Sequence, residues 1–368
     1  MKIDFANLQH QYQLYKKEID LAIQSVLDKS NYIMGDEVSL LERQLERFTS
    51  TKHAITCSNG TDALTLSMKA LNISAGDEVI TTPFTFIATA ETIAMLGAIP
   101  VFVDVEPDTF NIDTTKIISA ITSKTKAIMP VSLYGQPSNM LEISDIAKSH
   151  GLKVIIDGAQ CFGSTYHGES TAKFADIYTT SFFPAKPLGC YGDGGAIFTD
   201  NDTYAEKIRM LRVHGQNERY HHKYIGMTGR LDTIQAAILL AKLPHHKEEI
   251  LARDNVAQLY NKGLKNIVKT PVVRSDRKSA WAQYTIRVNN RSEFQENLLS
   301  KNIPTSIHYP KPLHLQECFQ YLNLSSGMFP ISEMLSKEVI SLPMNPFLKT
   351  EEIDYIVDAV TSFCNADN

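Results

Sequence analysis

The stretch HAITCSNGTDALTLSMKALNISAGDEVITT, His53 to Thr82, holds an apolar run, a turn, a helical pattern and a second apolar run. HAITC (His53–Cys57) leads into TDALTLSMKALNI, and EVITT (Glu78–Thr82) leads into TFIATAETIAML. The same alternation continues outward. PVFVDV (Pro100–Val105) leads into TTKIISAIT, AIMPVSLYG (Ala127–Gly135) leads into MLEISDIAKSH, and KVIID (Lys153–Asp157) follows. Short apolar runs alternating with helical patterns predict βαβ units and a mostly parallel sheet buried on both faces. Open sheets of this type bind ligands beyond the carboxyl ends of their strands. Three marked segments fall at or beyond such ends: Ser58-Asn59-Gly60-Thr61, Asp157-Gly158-Ala159-Gln160, and the turn around Lys186.

Upstream, apolar stripes predict helix from about Tyr15 to Thr49, broken at Gly35 and Asp36. Downstream of Arg230 the chain changes character. LDTIQAAILLAKL and EEILARDNVAQLYNKGL read as two long helices. AQYTIRVNN reads as a strand, a helix starts at Ser292, and the proline-rich NIPTSIHYPKPLH follows. A chain of 368 residues exceeds the size at which one core keeps growing. The expected division is a large α/β domain over 13–245 and a small α+β domain over 246–368, with residues 1–12 against the small one.

A net charge of −5 gives no electrostatic footprint for nucleic acid. No apolar run approaches the 18 residues of a membrane span, and MKIDFANLQHQYQLYKK lacks the apolar core of a secretory signal. Five widely spaced cysteines form neither a zinc pattern nor a disulfide framework. A cytoplasmic protein is expected, with no metal site.

The stretch SFFPAKPLGCYGDGGAIFT (Ser181–Thr199) sets Lys186 between Pro184 and Pro187, ahead of four glycines. Prolines fix φ and remove donors, and glycines permit close backbone approach, so this lysine sits on a constrained turn. It is either a surface lysine or one aimed at a ligand. SNGTDAL (Ser58–Leu64) opens a helix, so it is either an ordinary cap at Asn59, Thr61 or Asp62 or a phosphate site. Asp157 ends a strand, as a turn residue or as the partner of a protonated ring nitrogen. A phosphate cradle, a strand-end acid and a held lysine together suit pyridoxal phosphate.

SNGTDAL, GDEVITTPFTFIATAETI, IIDGAQCFGSTYHG, SFFPAKPLGCYGDGGAIFTD and GRLDTIQAAIL resemble the fold type I aminotransferases. They are similar in particular to the DegT/DnrJ/EryC1/StrS sugar aminotransferases, from about Asp4 to Pro346. The resemblance implies an aspartate aminotransferase-like fold and a homodimer with the site at the subunit interface. It implies that Lys186 carries the cofactor as an imine and that Asp157 pairs with the pyridine nitrogen. Gln160 then lies near the phenolic oxygen, Phe86 stacks on the ring, and Gly60, Thr61 and Ser181 bind the phosphate. Thr228 stands where relatives often have a phosphate-binding asparagine from the neighbouring subunit, and Arg230 is expected to reach across with it. A further departure is Ile156-Asp157-Gly158-Ala159-Gln160, where the family usually has Glu-Asp-Ala-Ala-Gln. Some relatives replace the lysine with histidine and act as dehydratases; Lys186 is kept, which favours transamination.

The implied donor is glutamate and the implied acceptor a nucleotide-linked keto-sugar. The 3-keto form of UDP-N-acetylglucosaminuronic acid is the first choice, for surface polysaccharide. Arg230, His214, His308 and Tyr309 are the expected substrate residues. The rivals are a 4-keto-6-deoxy sugar or aminocyclitol aminotransferase, a cofactor-binding sensor without turnover, and a protein in which Lys186 is structural. Adjacent His221 and His222 do not face one ligand in a strand or a helix. Cys161 and Cys190 read as packing residues.

Overall fold

The structure, a computed structural model, describes residues 3–366. Two helices, α1 (Leu8–Lys29) and α2 (Asp36–Thr49), precede the first strand. Then β1 (His53–Cys57), α3 (Gly60–Ala70), β2 (Glu78–Thr81), α4 (Ala88–Met95), β3 (Ile99–Phe102), β4 (Thr125–Ile128), α5 (Met140–His150) and β5 (Lys153–Asp157) follow. Two short strands, β6 (Thr165–Tyr166) and β7 (Glu169–Ser170), lead to β8 (Ile177–Ser181), β9 (Gly195–Thr199) and α6 (Asp202–Leu211). The ribbon β10 (Gln216–Glu218) and β11 (His221–His222) precedes the long α7 (Thr233–Leu264). The C-terminal part holds β12 (Arg277–Lys278), β13 (Tyr284–Arg287), α8 (Arg291–Ser300), α9 (Pro330–Glu338), β14 (Val339–Leu342) and α10 (Thr350–Ala366).

The central sheet runs β1-β9-β8-β5-β4-β2-β3. The β3, β2, β4, β5 and β8 pairings are parallel, and β9 lies antiparallel to both β8 and β1. The expected mostly parallel sheet is present, with β9 the reversed strand. Register brings the marked ends together. Asp157 closes β5 opposite Thr179, and Ser181 closes β8 opposite Gly195. Gly195 also faces Cys57, which ends β1 just ahead of the α3 turn. A Cβ on Gly195 would lie 2.5 Å from the Asn59 carbonyl oxygen, so glycine is required for that approach.

Three expectations change. TTKIISAIT forms two short 3₁₀ turns, Thr114–Lys116 and Ile118–Ala120, in place of an α-helix. Its β-branched residues are poor helix formers, and the Asp113 side chain takes the Thr115 N–H. The helix read from Tyr15 starts at Leu8, where a first turn exposed at Leu8, Gln9 and His10 hides the period. The two helices read either side of Pro244 are the single α7, with the proline inside. An interior proline costs about 3 kcal/mol, and here contacts with α1, α2 and α10 hold the helix together.

One buried core runs from Val38 through the sheet to Leu243. A second gathers Ile3, Val256, Tyr260, Tyr284, Ile340 and Val360. Asn345 donates to the Asp4 carbonyl at 3.0 Å, tying the N-terminal segment to the second core. Because α7 crosses residues 245 and 246 unbroken, we propose that the domain division is one of cores that share a helix.

Candidate active site

A cavity of about 440 Å³ opens at the carboxyl ends of β1, β5 and β8. Asn59, Gly60, Thr61, Phe86, Asp157, Gln160, Ser181, Lys186, His308 and Tyr309 all line it. These include every residue the sequence nominated for the cofactor except Thr228.

The α3 turn contributes the first group. Asn59 caps the helix, its side-chain oxygen accepting from Asp62 N–H at 2.7 Å. Gly60 and Thr61 are the first helical residues, so their amides have no intrahelical acceptor and point outward at the positive end of the dipole. The cap and the anion cradle therefore coexist. A Cβ at Gly60 would fall 2.8 Å from Ser181 Cβ, so glycine brings the turn against the end of β8. Ser181 Oγ accepts from Phe183 N–H at 3.2 Å, which leaves its own proton to donate.

Asp157 is buried, and each oxygen of its carboxylate accepts one hydrogen bond, which leaves acceptor capacity. Thr89 Oγ1 donates to Oδ2 at 2.8 Å and Ala159 N–H donates to Oδ1 at 3.2 Å. Burial raises its pKa; those two hydrogen bonds and the charge of Lys186 oppose the rise. Lys186 is lowered from 10.5 to about 8, by burial first and against the pull of Asp157. Gln160 is oriented by its neighbours. Tyr134 N–H donates to its Oε1 at 2.6 Å, so Nε2 is the end that donates to Tyr309 Oη at 3.2 Å. Phe86 is 53% exposed, with its ring 6.0 Å from that of Tyr309. His308 is lowered to about 4 by burial and by Lys186, so it is a neutral ring at physiological pH.

Pyridoxal phosphate fits this arrangement. The glycine-lined helix start suits a phosphate, Asp157 suits a protonated ring nitrogen, and the free amine of Lys186 suits an aldehyde carbon. The departure at Gly158 has a physical reason. A Cβ there would lie 2.3 Å from the Tyr178 ring, so tyrosine on β8 occupies the space an alanine methyl would need.

The remaining nominated residues lie elsewhere. Thr228 is exposed and its hydroxyl pairs with His214 Nε2 at 2.7 Å; neither lines the cavity. Arg230 does not line it either, and its Nε is buried with no partner among the described residues. Thr89, Tyr134, Asp193 and Gln283 enter the site or its hydrogen bonds without having been singled out. Thr89 lies within TFIATAETI, a segment legible only as helix. Cys161 and Cys190 are buried packing residues, burial raising the first thiol and taking the second to about 11. Among the described residues no helix is long and apolar enough to cross a membrane.

Residues 13–361 match the DegT/DnrJ/EryC1/StrS aminotransferase family. The chain is 46% identical to the UDP-2-acetamido-2-deoxy-3-oxo-D-glucuronate aminotransferase of Pseudomonas aeruginosa, over 98% of this chain and all of that one. It is 44% identical to the pleiotropic regulatory protein of Geobacillus stearothermophilus, over 99% of each. Its fold superposes on NtdA of Bacillus subtilis, solved with bound cofactor PMP, with a TM-score of 0.92 and 30% identity. That match covers 99% of this chain and 85% of the other.

Proposed function

The chain belongs to the DegT/DnrJ/EryC1/StrS family of pyridoxal-phosphate-dependent sugar aminotransferases, and from that premise we propose which residues do its chemistry and on which sugar. The amine moves from glutamate to carbon 3 of a nucleotide-linked keto-sugar, the 3-keto form of UDP-N-acetylglucosaminuronic acid. Glutamate leaves as its keto acid, and the sugar ketone becomes a primary amine. The observation that carries the residue assignment is that Lys186 and buried Asp157 line one cavity walled by the α3 helix start.

Bound pyridoxal phosphate supplies an aldehyde carbon conjugated to a ring that accepts electrons. The α3 amides of Gly60 and Thr61, with Ser181 Oγ, hold its phosphate. Asp157 holds a proton at the ring nitrogen, and Thr89 and Ala159 N–H keep the carboxylate turned to that task. Lys186 Nζ would hold the aldehyde carbon. Its lowered pKa then makes it a base near neutral pH, able to move the proton to and from the amine-bearing carbon. Phe86 and Tyr309, which line the cavity, would flank the ring.

The 3-keto uronate is supported by the Pseudomonas relative's name. Arg230 suits a sugar carboxylate by its bidentate geometry. Its Nε lacks a partner among the described residues, which supports a homodimer in which it serves the neighbouring site. The proposal includes a cytoplasmic location. The regulatory name of the Geobacillus relative favours a second reading, a cofactor-binding sensor. Turnover separates the two. The wild type should react with glutamate and aminate the 3-keto uronate in preference to neutral 4-keto-6-deoxy sugars. Lys186→Ala should lose the visible absorption and the glutamate half-reaction. Equal turnover of the neutral sugars would contradict the uronate, and cofactor binding without any half-reaction would favour the sensor.

A further inference from the structure

Behind the loop that carries Lys186 lies a buried lysine. Lys242, on α7, is 2% exposed, and its ammonium donates to the Gly189 carbonyl. It also lies 5.3 Å from the centroid of the Tyr191 ring. Seven residues earlier on α7, Gln235 Oε1 accepts from Tyr191 N–H at 2.8 Å. The helix thus holds the loop at 189 and at 191. The loop is closed on itself as well. Lys186 N–H donates to the Phe183 carbonyl at 2.9 Å and Cys190 N–H to the Phe182 carbonyl at 2.8 Å. A Cβ at Gly189 would meet the Pro184 carbonyl oxygen at 2.4 Å, so this turn has no slack.

Lysine is seldom buried, and a buried charge is costly unless partnered. No step described above uses Lys242. Its facing groups are Glu249, Arg253 and His246 on α7 and Cys190 on the loop. Gln11 and Tyr15 from α1 donate to Glu249 and fix its carboxylate. Lys186 faces Asp157 on β5 and His308 from the C-terminal part. The link between the two lysines is therefore mechanical, through the Gly189 carbonyl.

We propose that Lys242 is a positioning residue: by holding Gly189 it keeps the loop closed and Lys186 Nζ in the cavity, ready to capture the cofactor. The proposal rests on the reading that Lys186 carries pyridoxal phosphate. It predicts a change that packing alone does not produce. The depression of Lys186 comes first from burial. A loosened loop lets water reach the amine, so its pKa rises and capture shifts to higher pH.

The test strips the full-length protein of cofactor, adds pyridoxal phosphate and follows the visible band across pH. Lys242→Met removes the donor at similar volume, and Lys242→Gln retains one. Lys242→Met should slow capture about tenfold, as loss of a donor to a buried carbonyl implies, and should move the pH midpoint above that of the wild type. Lys242→Gln should recover most of the rate and return the midpoint. A folded Lys242→Met variant with wild-type rate and midpoint overturns the proposal, as does slow capture with an unmoved midpoint. Where Lys242→Met fails to fold, a Lys242→Gln variant that matches the wild type in both rate and midpoint supports it, and one with slow capture at the wild-type midpoint overturns it. Persistence of the band in Lys186→Ala would overturn this proposal and the assignment of Lys186 together. Loss of the band there beside a wild-type-like Lys242→Met would overturn this proposal alone.

Discussion

The cofactor wall and the segment from Val213 to Arg230 are built on opposite plans. In the wall, strand register sets the positions: Asp157, Ser181 and the α3 turn follow from the pairing of β5, β8, β9 and β1. The acid of the wall is already held, Asp157 accepting from Thr89 and Ala159. In the Val213–Arg230 segment, Thr228 is exposed with its hydroxyl on His214, and Arg230 Nε is buried without a partner among the described residues. A preorganised wall suits a cofactor that is the same in every turnover. Unpartnered groups on a peripheral segment suit recognition completed by another molecule or subunit.

The comparison predicts that damage to the wall affects both half-reactions and damage to the segment affects one. The largest effect belongs to Asp157→Asn, which removes the negative charge while keeping the shape. Single-turnover rates with glutamate and with the keto-sugar should both fall by about 100-fold or more, the scale for losing a preorganised electrostatic partner. A loss confined to one substrate would break the comparison. A smaller effect belongs to Arg230→Ala. The KM for the keto-uronate should rise about tenfold, the scale for losing one charged hydrogen-bond partner, while the KM for glutamate moves less. An equal rise for both substrates would instead place this arginine on the carboxylate of the donor.

Much of the wall was legible before the fold. HAITC and KVIID form strands with the bounds their apolar runs predict, and Lys186, Asp157, Gln160 and Gly60 meet in one cavity. These signals are local, because a strand end or a glycine turn declares itself within a few residues. The hidden parts depend on distance. Thr89 lies 68 positions from Asp157, and nothing in a helical TFIATAETI announces that one threonine faces an acid. Tyr309 lies 149 positions from Gln160. Lys242 lies in LDTIQAAILLAKL, read only as helix, and its burial comes from a loop 53 positions away, at Gly189. Pro244 reads as a helix end until α1, α2 and α10 support the helix through it.

The central claim is that Lys186, rather than another buried amine, holds the cofactor. Lys242 is the natural control, since burial lowers both lysines to about 8. The direct measurement is borohydride reduction of the cofactor-loaded protein, followed by mass mapping of the modified peptide. The account predicts a single reduced cofactor adduct on Lys186 and none on Lys242. An adduct on Lys242, or a reduced protein with no adduct on Lys186, would contradict it.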